Sequence, residues 1–282
     1  MIHVENLHFG YPKKPTLFSE LNWEAPEGTI IGLLGKNGAG KSSFLRILSG
    51  ILFPLDGAVT VNGFVPRKRQ SQFLQELFLV PDESYLHSGL TSLGYEKITS
   101  PFYPRFDSAR FRKLLDTFEV GPTVRVKDLS FGQQKKVVLA FALSSGCSLI
   151  LMDEPTNGLD ISSKAAFRKE LVSVIREDQT VILATHLIKD LENTLDRVVI
   201  LDQGKIKLDA ALSDLADGYY FGTAAQAPRE AIYVQSTALG VQYIEPRKSQ
   251  AQSSINLEML FQGVVNGADF SEAFHSSKLA NL

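Results

Sequence analysis

Residues Gly32 to Ser43 read GLLGKNGAGKSS, and the fold turns on this stretch. Ahead of the loop, Ile30 to Leu34 (IIGLL) is an apolar run of strand length. Behind it, Phe44, Leu45 and Leu48 fall at helical spacing and Gly50 supplies a stop. The order is strand, loop, helix. Gly35, Gly40, Lys41 and Ser42 fit the phosphate-loop spacing in the context that spacing requires. Gly35, Gly38 and Gly40 let the backbone curl so that successive N–H groups point inward at a helix N-terminus, an anion nest. Asn37, Ala39 and Ser43 complete the candidate segment, Lys41 is placed to reach the β- and γ-phosphates, and Ser42 to ligate Mg²⁺. The expected ligand is a nucleoside triphosphate.

Composition sets the outer limits. The chain has 282 residues, 44% of them hydrophobic and 21% charged, enough for one large domain or one plus a small appendage. A formal charge of −2 and the lack of a Lys/Arg block argue against nucleic acid as a partner. One cysteine, Cys147, lies in an apolar run, makes no intrachain disulfide and is read as core, which fits a reducing compartment. MIHVENLHFGYP lacks the pattern of a secretory signal, and no uninterrupted apolar window reaches the ~18 residues of a membrane span. The expectation is a soluble chain.

A phosphate loop alone does not choose a reaction. Ser148 to Met152 (SLILM) is a continuous apolar run followed by Asp153 and Glu154, as for a buried parallel strand delivering two carboxylates at its C-terminal end. Asp153 is the candidate Mg²⁺ ligand. Glu154 is placed to take a proton from an attacking water. Thr180 to Leu183 is another strand-like run, with His186 just past its end.

Leu129-Ser130-Phe131-Gly132-Gln133-Gln134, Asn157-Gly158-Leu159-Asp160 and Ala184-Thr185-His186 complete the series. With them the sequence resembles the ATP-binding cassette (ABC) ATPases, the nucleotide-binding subunits of ABC transporters, over about residues 1 to 215. The resemblance implies a P-loop α/β core with a mainly parallel sheet, an antiparallel β-subdomain and a helical insert. It implies that LSFGQ contacts, through Ser130, Gly132 and Gln133, the γ-phosphate of ATP held by an opposite subunit, in a homo- or heterodimer. It also makes His186 the histidine that bonds the γ-phosphate, Asp160 the residue crossing the dimer interface, and Tyr11 the ring that stacks on adenine. Ser130 is independently a good N-cap before a helical run from Lys135 to Ser145. Phe131 stands where the family's first central glycine does, at a position that commonly varies.

One departure bears on the site. Family members usually carry Gln after the proline in a stretch like Leu79-Val80-Pro81-Asp82, touching Mg²⁺ or its water; here Asp82 stands there. A carboxylate only accepts hydrogen bonds where an amide also donates. Asp82 is counted with both the ATP-binding and the metal candidates. A second resemblance, carried by Phe102-Tyr103-Pro104-Arg105-Phe106-Asp107, is to subunits pairing with ABC-2-type permeases, mostly exporters. A separately encoded membrane permease is thus the implied partner, with the chain peripheral on the inner face of the cell membrane. The competing reading is an ABC-type ATPase regulating a cytosolic complex. Translation factors of the family carry paired cassettes and repair ATPases long coiled coils, and this sequence has neither.

The expected domains are an ATPase domain over 1–215, with the helical insert at about 72–145, and a C-terminal extension over 216–282. Residues 1–70 read as strands with turns at Asp56-Gly57 and Asn62-Gly63. In the insert, Ser108 is read as the cap of a helix whose Phe111, Leu114, Leu115 and Phe118 share one face. In the extension, Ala231 to Gln235 and Val241 to Glu245 read as strands. Asn256 is read as capping a helix with Leu257, Leu260, Phe261 and Val264 on one face, packed on the body or on a sister subunit.

Overall fold

The computed structural model describes residues 1–83, 86–188, 193–238, 240–247 and 254–270. Its central sheet has six strands in the spatial order β5 (Leu77–Val80), β6 (Leu149–Asp153), β7 (Thr180–Thr185), β3 (Ile30–Leu34), β8 (Arg197–Asp202) and β9 (Lys205–Ala211). All neighbours are parallel except β8 and β9, which pair antiparallel. The continuous apolar runs follow from burial on both faces. Ile150, Met152, Val181 and Leu183 enter one core, and Leu149, Leu151, Ile182 and Ala184 the other.

The second of these cores is closed by an antiparallel sheet in the order β2 (Thr16–Ala25), β1 (Ile2–Gly10), β4 (Asp56–Val61), with helix α1 (Lys41–Leu48) between the sheets. Phe44 on α1 meets Phe18 and Trp23 edge-on at 5.9 and 5.4 Å. Asn62 and Gly63 form the expected tight turn, Val61 and Phe64 exchanging backbone hydrogen bonds across it. Asp56-Gly57 does not turn: it begins β4, paired with β1.

The first core carries the helical insert: α3 (Ser92–Thr99), α4 (Ser108–Thr117) and α5 (Phe131–Ser144). Within the segment 72–145 the short α2 (Ser71–Gln75) leads into β5, which belongs to the central sheet, so the insert's own helices follow that strand. Asp107, not Ser108, caps α4: its carboxylate accepts the Arg110 N–H at 2.9 Å, and Ser108 is the first helical residue. Phe141 on α5 is the hub, with the rings of Phe78, Tyr95, Tyr103, Phe106 and Phe111 at 4.5 to 5.8 Å. The FYPRFD segment is largely absorbed into this cluster, and Arg105 pairs with Glu76 beside it.

Helix α6 (Ile161–Val174) links β6 to β7, α7 (Leu212–Gly218) follows β9, and a sheet of β10 (Tyr219–Ala224), β12 (Gly240–Pro246) and β11 (Tyr233–Thr237) precedes α8 (Leu257–Val265). The two strands expected in the extension are β11 and β12; β10 and α7 were not expected. Asn256 caps α8, accepting the Met259 N–H at 2.9 Å. Leu257, Leu260, Phe261 and Val264 are buried in the first core, so this face packs on the body. Each such side chain contributes about 1.5–3 kcal/mol on burial.

Candidate nucleotide site

Strand β3 ends at Leu34 and the chain loops through Gly35–Gly40 into α1. The loop is built for glycine at two points. A side chain on Gly35 would place its Cβ 2.5 Å from the Leu201 carbonyl oxygen. Gly40, the residue before α1, has φ +107°, and a Cβ there would strike the Phe18 ring at 2.8 Å. The Lys41 ammonium curls back under the loop, donating to the carbonyls of Gly35 at 2.7 Å and Lys36 at 3.3 Å. Burial holds its pKa below the ordinary lysine value, against the opposing pull of Glu154 and Asp153.

The carboxylates arrive from β6. Asp153 is buried, receives the Ser42 hydroxyl on its side chain, and has its pKa raised, chiefly by desolvation. Its Oδ1 is buried without a hydrogen-bond partner. Glu154 sits at φ +46°, a strained position for a side-chain-bearing residue, its N–H donating to the Ala184 carbonyl at 2.8 Å. The chain's reversal there aims the carboxylate at the end of β7. Thr185 Oγ1 donates to Oε2 at 2.8 Å, and the His186 N–H and Nδ1 reach Oε1 at 3.1 and 2.7 Å. An ionised carboxylate only accepts, so in this contact Nδ1 is the donor.

These groups share one cleft of about 710 Å³, within the range of ligand pockets. Asn37, Gly38, Gly40, Lys41, Ser42 and Ser43 line it together with Asp82, Glu154 and His186. Tyr11 also lines the cleft, its hydroxyl 2.9 Å from Ser43 Oγ and its ring edge-on to Phe9. Gly35, Ala39 and Asp153 sit buried just beneath the lining. The sequence reading missed the 14–17 segment, which also lines the cleft, and Asn157, whose amide donates to Asp82 Oδ1 at 3.1 Å. The 14–17 segment carries no pattern that single-sequence reading detects, whereas Asn157 opens the Asn157–Asp160 motif, of which only Asp160 is given a role.

Ser130, Gly132 and Gln133 do not line this cleft. They form the N-terminus of α5 in a reciprocal capping box, Ser130 Oγ accepting from Gln133 N at 3.2 Å and Gln133 Oε1 from Ser130 N at 2.9 Å. A Cβ on Gly132 would lie 2.5 Å from the Gly158 carbonyl oxygen, so this segment packs on the 157–160 loop of its own chain. Phe131 is nearly half exposed. Asp160 caps α6, bonding Ser162 Oγ at 2.6 Å and Ser163 N at 2.8 Å, with Lys136 Nζ at 3.5 Å. These donors hold its carboxyl well below the usual range.

A strand–loop–helix anion nest, a buried Asp at the end of another parallel strand of the same sheet and a Glu clamped beside it define a P-loop nucleoside triphosphatase. Comparison with known proteins narrows the class. The ABC transporter family profile matches residues 18–157. The NatA ABC transporter ATP-binding protein of Bacillus subtilis is 32% identical over 195 residues, 67% of this chain and 79% of the relative. The linearmycin resistance ATP-binding protein LnrL, also of Bacillus subtilis, is 30% identical, covering 76% of this chain and 70% of the relative. Among solved structures, an ATP-binding subunit of an ABC transporter superposes with a TM-score of 0.68 at 24% identity, covering 76% of this chain and 91% of that one. The chain belongs to the ABC transporter ATP-binding proteins and is an ABC-type ATPase.

Proposed function

We propose that this chain is the ATP-hydrolysing subunit of an exporter, closing as a dimer around two Mg-ATP to move a separately encoded membrane permease. The observation that carries the dimer is the division of the site. Lys41, Ser42, Glu154 and His186 line one cleft, with Asp153 hydrogen-bonded to Ser42, while Ser130, Gly132 and Gln133 cap a helix outside it. A second subunit is therefore needed to bring the exposed start of α5, with its N–H groups and positive helix end, to the γ-phosphate. Asp160 and the exposed Phe131 lie on the same side of the chain, through the contact of Phe131 with Gly158.

In this reading the Gly35–Ser43 nest and Lys41 hold the phosphates, and Tyr11 packs on the base. Mg²⁺ suits the hard oxygen donors here, Ser42 Oγ and the unpartnered Asp153 Oδ1, with Asp82 at the cleft wall. When bound, the ion would neutralise charge on the β- and γ-phosphates. Glu154 accepts a proton from the attacking water. A carboxylate has about four acceptor sites, and three donors already hold this one in place, leaving a site for the water. His186, oriented by its Nδ1–H bond, turns Nε2 toward the γ-phosphate.

The permease is supported by an apolar groove of about 420 Å³ beside the insert, lined by Ile51, Leu74, Leu79, Phe102 and Tyr103, with Ile51 and Phe102 exposed. Two relatives, LnrL and the lantibiotic transport protein SrtF of Streptococcus pyogenes, carry resistance and transport names of the same kind. No described helix is long and apolar enough to cross a membrane, so a membrane location comes through the partner, on the cytoplasmic face. We assign residues 1–215 to the ATPase domain and 216–282 to an extension that shares its core through α8. Purification of the tagged chain from a mild detergent extract of its host should bring down an integral membrane protein that changes its ATPase rate. Undisturbed ATPase and no membrane protein would remove the transport reading while leaving the ATPase in place.

A further inference from the structure

Lys135 lies on α5, just past the LSFGQ segment, and is 1% exposed. A lysine is almost never buried so fully without partners. Its Nζ donates to three backbone carbonyls: Pro81 at 2.8 Å, Asp82 at 3.0 Å and Asp153 at 3.3 Å. An ammonium has three N–H donors, and all are spent here. The three acceptors belong to two different segments, the loop leaving β5 and the C-terminal end of β6. Those segments carry Asp82, which faces the cleft, and Asp153 with its neighbour Glu154. The charged surroundings are mostly carboxylates: Asp82, Asp153 and Glu154 each act on the Lys135 ammonium, against its burial.

We propose that Lys135 is a positioning residue for hydrolysis, pinning the Asp82 loop and the end of β6 to the helix that begins at Ser130. Resting on the reading of Glu154 and Asp153 as the hydrolytic carboxylates, this assigns the coupling to a side chain that touches neither nucleotide nor water. Movement of the α5 N-terminus against a partner's nucleotide is then transmitted by one tetrahedral ammonium to both carboxylate-bearing segments. The same link accounts for the tolerance of Asp82 at its position: its backbone oxygen is held by a cation, and its carboxylate is answered by Asn157.

The test compares Lys135→Met, which keeps the alkyl stem and removes the donors, with Lys135→Gln, which restores an amide donor at shorter reach. Steady-state ATPase and the affinity for a fluorescent ATP analogue are measured on each folded variant, alongside Glu154→Gln. Lys135→Met should lower kcat about 10- to 100-fold, the scale set by sub-ångström displacement of catalytic groups. Analogue affinity should stay within about threefold of wild type, since the nest supplies the phosphate contacts. Lys135→Gln should recover part of kcat but not all of it, since an amide has fewer donors and a shorter reach. Wild-type kcat in Lys135→Met overturns the proposal. So does an equal loss of kcat and nucleotide affinity that Lys135→Gln does not relieve, which marks a purely structural lysine. If Lys135→Met does not fold, Lys135→Gln decides: lowered kcat at unchanged analogue affinity supports the proposal, and wild-type kcat overturns it. Wild-type turnover in Glu154→Gln would instead sink the reading of the carboxylates beneath it.

Discussion

Glu154→Gln is the sharpest perturbation of this site, because the change is one atom and a charge in a geometry with three known donors. Removing a general base costs about 10²- to 10⁴-fold in rate, equivalent to about 2.7–5.4 kcal/mol on the barrier. The structural cost is smaller. Thr185 Oγ1, His186 N and His186 Nδ1 all donate to the carboxylate; an amide keeps one acceptor oxygen and places an NH₂ against the remaining donors. The Thr185 hydroxyl can rotate to accept, so the loss is about 1–2 kcal/mol, the gap between charge-assisted and neutral hydrogen bonds. For a chain of this size that lowers the melting temperature by about 2–8 °C. Phosphate release in Mg-ATP should fall by at least about 100-fold while a fluorescent analogue still binds, and ATP-bound dimers should accumulate in sedimentation. Turnover within about threefold of wild type, with the fold intact, would refute the assignment of Glu154 as base.

Three further outcomes follow from contacts already described. Asp82→Ala removes the acceptor of the Asn157 amide and should lower hydrolysis and its stimulation by a reconstituted permease while leaving ATP binding intact; Asp82→Gln keeps an acceptor and should keep activity, measured as phosphate release. Phe141→Ala empties the ring cluster and should cost about 3–5 kcal/mol, read by denaturant unfolding. Cys147 is fully buried with its thiol pushed up to about 12, so a chromogenic disulfide reagent at pH 8 should find no thiol in the folded chain and the single one after unfolding. The sign follows: the unfolded thiol ionises first, near 9, so this group's contribution to stability is full below that pH and declines as pH rises toward about 12.

Local chemistry determined much of this protein without help. The Gly35–Ser43 loop announces itself because glycine spacing, a preceding apolar run and a following amphipathic run are all short-range signals. Asp153 and Glu154 could be placed at a strand end for the same reason, and Asn256 at the start of α8. What crosses the fold could not be read. The order β5-β6-β7-β3-β8-β9 sets β7 beside β6 and so brings His186 onto Glu154 from a strand with no sequence proximity. Asp107 displaced Ser108 as the cap of α4 because both residues are competent caps and only the backbone path chooses between them. The burial of Lys135 was invisible: at a helix position it reads as one more solvated lysine, until Pro81, Asp82 and Asp153 supply carbonyls from two distant segments. Periodicity reports which face of an element is apolar; only tertiary packing decides which polar groups must find one another inside it.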